Sequence, residues 1–225
     1  MGPRVLRALT LPDVVTTTNA VLGFFAVVAA MHDVSLAARL ILLAAIFDAV
    51  DGILARRYGG SAVGSYLDSL ADVASFGVAP ATMMVVASPN EPAWLSWGAV
   101  ALGGIFVGSA VVRLGLYTAY DTDQAATKGV QTTLAATILS AGLLAGVPET
   151  VLVGSLGVFA VLMVGEWRYP DLRVRDALLM GGIQAGAIVG PGVLWGVFPR
   201  ALLAWALAYL LLAPGFYGGA EGKRS

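Results

Sequence analysis

The chain has 225 residues, 58% of them hydrophobic and only 12% charged, with 28 glycines and a mean hydropathy of +0.84, a composition outside the range of ordinary soluble domains. A net charge of −1 offers no basic face for nucleic acid, and the lack of cysteine removes disulfides, thiol nucleophiles and thiolate metal sites. An all-α integral membrane protein is the class that remains, with any chemistry left to oxygen and nitrogen groups.

A helix needs about 20 apolar residues to cross the hydrocarbon core, and polar clusters cut the sequence into eight such pieces. They run approximately over 14–31, 36–55, 64–87, 94–117, 130–146, 151–167, 177–197 and 201–212. Between them MHDVS, SPNEP, YDTDQAATK, GVPET and RYPDLRVRD gather the Pro, Asp, Asn and Gly of loops and turns. No segment is long enough for a soluble domain and no internal repeat is visible, so the chain reads as one polytopic membrane domain over residues 1–225.

Arg4 and Arg7 ahead of the first apolar stretch, with Ala29 and Ala30 near its end, resemble a cleaved signal peptide. The polar TTTN at 16–19 interrupts the apolar run, which favours an uncleaved first span. MGPRVL also lacks the Ser or Thr of a myristoylation site. With both termini inside, one face holds Arg4, Arg7, Arg56, Arg57, Lys128, Arg168, Arg173, Arg175, Lys223 and Arg224, with Arg113 near the inner end of its span. The other face keeps Arg39 and Arg200. Positively charged loops stay cytoplasmic, so the sequence predicts a multi-pass protein of the cell membrane with that first face inside.

The second and third segments carry the unusual residues. Asp48 and Asp51 share one helix face, as do Asp68 and Asp72, all toward the predicted cytoplasmic ends. Each carboxylate in a membrane helix costs roughly 2.5–3.5 kcal/mol on insertion scales, so four together require neutralisation. Arg56 and Arg57 are the nearby cations in the sequence, leaving a surplus of negative charge for protons or metal ions to offset. Carboxylate oxygens without histidine or cysteine select hard cations, Mg²⁺ or Mn²⁺. Acids paired across two helices could hold two such ions roughly 3.5–4 Å apart, an arrangement suited to phosphoryl displacement. Gly52 and Ala55 strip side chains from the surface beside Asp51; alone, like Gly64, they would read as packing residues, and Arg56 and Arg57 as interfacial anchors.

DAVDGILAR followed by GSYLDSLAD resembles the DxxDGxxAR and GxxxDxxxD motif of the CDP-alcohol phosphotransferases. The seven residues between Arg56 and Gly64, RYGGSAV, are one fewer than the family's usual spacing. The resemblance implies Asp48, Asp51, Asp68 and Asp72 as ligands for two divalent cations, with Asp72 also the general base. It implies Asp51, Gly52, Ala55, Arg56 and Gly64 as the positions that hold the CDP moiety. The implied fold is a six-helix core over about residues 10–170 plus about two C-terminal helices over 177–212, usually dimeric, with a cavity open to the cytoplasm and the inner leaflet.

SFGVAPA at 75–81 and MVGEWRYP at 163–170 resemble the phosphatidylserine synthase branch, as does LPDVVTTTN at 11–19 with Asp13 where Asn is usual. AVVRLGLYT keeps Arg113 of a family LRLARFN run, with Leu116 in place of its second Arg, and KGVQTTLAAT is similar to archaeal members that make archaetidylserine. The implied reaction takes a CDP-activated lipid (CDP-archaeol or CDP-diacylglycerol) and L-serine and releases CMP, among membrane lipids and without nucleic acid. Arg113 would face the serine carboxylate with help from Lys128; a helix-pairing Arg and a solvated Lys are the plain alternatives. His32 reads as an outer loop residue, and Glu166 and Arg168 as interfacial. Glycerol phosphate or inositol phosphate as acceptor, or a cation or proton transporter using intramembrane acids, are the competing readings; a non-catalytic scaffold would leave four buried acids unexplained.

Overall fold

The computed structural model describes residues 9–88, 92–121, 126–170 and 174–221. Arg4, Arg7, Arg173, Lys223 and Arg224, and the signal-peptide and myristoylation readings that rest on the N-terminus, lie outside those residues. Among the described residues eight longer helical segments follow one another, in step with the eight apolar pieces in the sequence. They are α1 (Leu11–Ala30), α2 (Val34–Tyr58), α3 (Gly64–Asp72) joined through a π-helical turn to α4 (Ala79–Ala87), α5 (Ala93–Leu116), α6 (Thr132–Leu144), α7 (Glu149–Met163), α8 (Val174–Val189) and α9 (Val197–Glu221). Four stretches, Leu11–Ala30, Gly64–Ala87, Ala93–Tyr120 and Val193–Ala213, are long and apolar enough to cross a membrane, and α6, α7 and part of α8 are shorter apolar helices. At 25 residues α2 is long enough as well, but it carries Arg39, Asp48, Asp51, Arg56 and Arg57. The protein is a multi-pass helical membrane protein.

In lipid there is no hydrophobic drive between helices, so packing relies on close backbone approach at small side chains. The broadest interface, α1 on α2, is built accordingly from Ala26, Ala29, Ala30, Ala37, Ala38, Ala44 and Ala45, all buried. Phe76, Phe106, Met83, Met84, Leu139 and Leu156 fill the centre between α4, α5, α6 and α7. Large apolar residues on the outer faces, Phe24, Phe25, Trp94, Trp97 and Trp195 among them, stay exposed, as suits side chains that meet lipid.

Two departures from regular helix have local causes. Pro80 lacks the N–H that would bond back to Phe76, and its ring crowds that carbonyl. The chain widens to the π register over Val73–Val78, with the Ala79 N–H bonding the carbonyl of Ala74, five residues back. The π-turn thus follows Asp72 directly and takes in the first four residues of the SFGVAP run. The second departure lies in segments that read as loops in the sequence. Ala126–Lys128 pairs antiparallel with Arg168–Pro170, Lys128 opposite Arg168, and Gly129 at φ 75° turns the chain into α6. The Tyr169 hydroxyl bonds the carbonyl of Leu210 at 3.2 Å and its ring lies 6.2 Å from that of Tyr209. That ribbon ties α9 to the end of the bundle where the acids lie.

Helix α1 is fixed at the same end. The Asp13 carboxylate accepts from the Thr10 N–H (2.5 Å) and hydroxyl (2.7 Å), the carboxylate half of a capping box. Its other oxygen accepts from Ser61 at 3.0 Å. The carboxylate at 13 therefore caps α1 and clamps the short RYGGSAV turn, with a Cβ on Gly64 falling 3.5 Å from it.

Candidate active site

The last turns of α2 and the first turns of α3 bring acids together because both helices end at the short turn. Carboxylate oxygens of Asp48, Asp68 and Asp72 lie within 4.8 Å of one another. Asp72 is 7% exposed, and Asp48 and Asp68 are half-buried. Asp51, 5% exposed, stands one step aside: its Oδ2 accepts a 2.6 Å hydrogen bond from Thr16 of α1, while its charge acts on each of the other three. Three close carboxylates with no imidazole or thiolate among them match the oxygen donor set of a hard divalent cation. The repulsion of like charges in a low-dielectric setting gives that cation a reason to be held.

Donors on helices that carry no acid of this cluster hold the carboxylates. Asn19 of α1 donates from Nδ2 to Asp72 Oδ1 at 3.4 Å. Thr133 of α6 donates to Asp48 Oδ2 at 3.5 Å. Beyond Asp68, the Ser69 hydroxyl pairs with that of Thr118 in the π-helical turn (Tyr117–Asp121) that ends α5. One turn of α1 past Asn19, Gly23 is pressed so closely on the π-turn that a Cβ there would stand 2.8 Å from Ser75 Cα. The Ser75 hydroxyl bonds the Asn19 carbonyl at 2.8 Å.

Of the basic residues, Arg56 is exposed, with Nη1 3.5 Å from where a Gly52 Cβ would lie, so its guanidinium folds over the bare glycine. Arg57 lies over the Tyr58 ring at 5.6 Å, away from the cluster. The sequence offered Arg56 and Arg57 as the nearby cations; the structure corrects this. Arg113 on α5, 7% exposed and 5.9 Å from the Tyr117 ring centroid, acts electrostatically on Asp72. It is the one buried cation among the described residues. Ala55 is half-buried on α2, and Lys128 is exposed on the ribbon. His32 sits exposed in the α1–α2 turn at the opposite end of the bundle, and Glu166 is exposed beside the ribbon. The Arg168 side chain lies outside the described residues.

Thr16, Asn19, Thr133 and the Asp13–Ser61 pair were not singled out as site residues from the sequence. The signal for the first two was present: TTTN is a polar break in an apolar span. It was used there to argue against a cleaved leader and as part of a branch resemblance, not to place Thr16 or Asn19 in the site.

Residues 9–167 match the sequence model of CDP-alcohol phosphatidyltransferase. The chain belongs to the CDP-alcohol phosphatidyltransferase family. Among curated relatives, it is 27% identical over 172 residues to an archaetidylserine synthase of Methanothermobacter thermautotrophicus, covering 74% of this chain and 72% of that one. It is 41% identical over 81 residues to a CDP-diacylglycerol–serine O-phosphatidyltransferase of Methanocaldococcus jannaschii, 36% of this chain and 37% of the relative. A protein of the same name from Mycobacterium bovis is 35% identical over 125 residues, 54% and 42% of the two chains. The last two matches thus span less than half of the relatives' length. In space, Asp68 and Asp72 of GSYLDSLAD come to Asp48 of DAVDGILAR.

Proposed function

We propose that this protein transfers the lipid phosphoryl group of a CDP-activated lipid, CDP-archaeol or CDP-diacylglycerol, to the hydroxyl of L-serine, releasing CMP. The observation that carries this reading is the carboxylate cluster of Asp48, Asp68 and Asp72 between two membrane helices, in a chain three-quarters of which aligns with an archaetidylserine synthase. Asp48, Asp51, Asp68 and Asp72 would hold two divalent cations, Mg²⁺ or Mn²⁺. When bound, these supply neutralisation of the diphosphate and of charge on the departing CMP. Asp51, Gly52, Ala55, Arg56 and Gly64 would hold the CDP moiety; the guanidinium of Arg56 lying against the bare Gly52 supports a cation beside a diphosphate bound at that face.

Asp72 takes the proton of the serine hydroxyl as its oxygen bonds to phosphorus and the bond from phosphorus to the CMP oxygen breaks. The chain has no cysteine and its one histidine stands at the far end, so direct displacement is preferred to a covalent lipid–enzyme intermediate. Arg113, buried beside Asp72, is suited to the serine carboxylate, with Lys128 at the rim. A dianionic acceptor such as inositol phosphate would call for more buried cations than Arg113. The whole of 1–225 acts as one membrane domain, the acids face the cytoplasm at the cell membrane, and the protein works as a homodimer.

The test is purified protein with CDP-lipid, Mn²⁺ or Mg²⁺ and a panel of alcohols, scored by CMP release. Serine should stimulate release well above water, glycerol phosphate or inositol phosphate; a preference for one of the phosphates would replace the serine reading.

A further inference from the structure

We infer that Asn19 is the positioning residue for Asp72, holding that carboxylate from a helix that contributes no acid to the cluster. The inference rests on the proposed role of Asp72 as base and cation ligand. Asn19 is fully buried, and a carboxylate kept ionised by a bound cation can only accept, so the amide NH₂ faces Asp72. The amide oxygen, Oδ1, is then left buried without a hydrogen-bond partner. Buried polar side chains as a rule make at least one hydrogen bond, and where it goes shows what the group serves. Asn19 satisfies one end, and that end is on the cluster.

The surroundings stiffen this arrangement. Gly23 seats α1 closely against the π-turn that begins immediately after Asp72, so the Asn19 backbone cannot follow if Asp72 swings away. The 3.4 Å separation is long for a charge-assisted bond and is of the kind that tightens when a site is loaded. Free rotation of Asp72 would let either oxygen turn from Asp48 and Asp68; the amide holds Oδ1 and leaves the other oxygen for the cation and the acceptor proton.

The test compares wild type, Asn19→Leu and Ser75→Ala. Ser75→Ala removes the hydrogen bond between the same two elements without touching the amide. Two readouts are used: CMP release against CDP-lipid and alcohol concentration, and Mn²⁺ binding by electron paramagnetic resonance without substrates. Outer-shell partners of this kind contribute roughly 10- to 100-fold to activity or metal affinity. Asn19→Leu should therefore lower kcat and weaken Mn²⁺ binding by about 10- to 100-fold with the KM for CDP-lipid little changed. Ser75→Ala should lower thermal stability and keep kcat per folded molecule. If both variants lose activity only in proportion to folded protein, with Mn²⁺ affinity unchanged in Asn19→Leu, Asn19 is a packing residue and the inference falls. Should wild type prefer another alcohol, the serine reading fails and the comparison runs with that alcohol. Should it release no CMP with any, the transfer reading fails and the Mn²⁺ titration still decides for or against Asn19.

Discussion

Replacing Thr16 by Val removes one hydroxyl and nearly nothing else, because the two side chains have almost the same shape. That hydroxyl donates to Asp51 Oδ2 at 2.6 Å, and both residues are 5% exposed. A hydrogen bond to an ionised group contributes about 1.5–3 kcal/mol. The Pro12 carbonyl, 3.1 Å from the same oxygen, loses only a weaker, shared contact. At about 1.4 kcal/mol per decade, freeing the Asp51 carboxylate should cost roughly 10- to 150-fold in kcat/KM for the CDP-lipid. Initial rates of CMP release in detergent micelles, with unfolding followed by tryptophan fluorescence, measure this directly. Thr16→Ser keeps the donor and should recover most of the loss. If Thr16→Val stays within about twofold of wild type while folding normally, the geometry of Asp51 does not matter to turnover and the reasoning from Thr16 is wrong.

Two further outcomes follow from the same end of the bundle. Gly23→Ala would set a methyl 2.8 Å from Ser75 Cα and 2.9 Å from its backbone nitrogen, so α1 must shift. Overpacking of this kind costs about 1–3 kcal/mol, read as a lower thermal midpoint in detergent; an unchanged midpoint would show that α1 is not pinned there. Chelation of divalent cations should abolish CMP release, with recovery on adding Mn²⁺ or Mg²⁺, and full turnover in excess chelator would remove the cation from the account.

The eight helical segments were legible because apolar length is a strong signal and polar breaks mark its ends. The four acids were legible because charge within such runs stands out. Less was visible where a contact depends on which helix lies beside which. TTTN showed itself as a polar break, yet nothing in its own stretch says that Thr16 meets Asp51, 35 residues on, or that Asn19 meets Asp72, 53 residues on. Arg113 was assigned to the acceptor from its place in a span, but its influence on Asp72 needs α5 to cross α3. The paired strands around Lys128 and Arg168 escaped because three-residue strands carry no readable period. Asp13 looked like a departure from an expected asparagine; the structure gives it two partners, the α1 cap and Ser61, which tie down the shortened turn before Gly64.

The most direct test of the account follows the serine oxygen itself. With L-serine labelled with ¹⁸O in its hydroxyl, a CDP-lipid and Mn²⁺, mass spectrometry should find the label in the phosphodiester of a serine-bearing lipid, formed one for one with unlabelled CMP. CMP released without a serine-bearing lipid, or a product lipid lacking the label, would contradict attack of the serine hydroxyl on phosphorus at the carboxylate cluster.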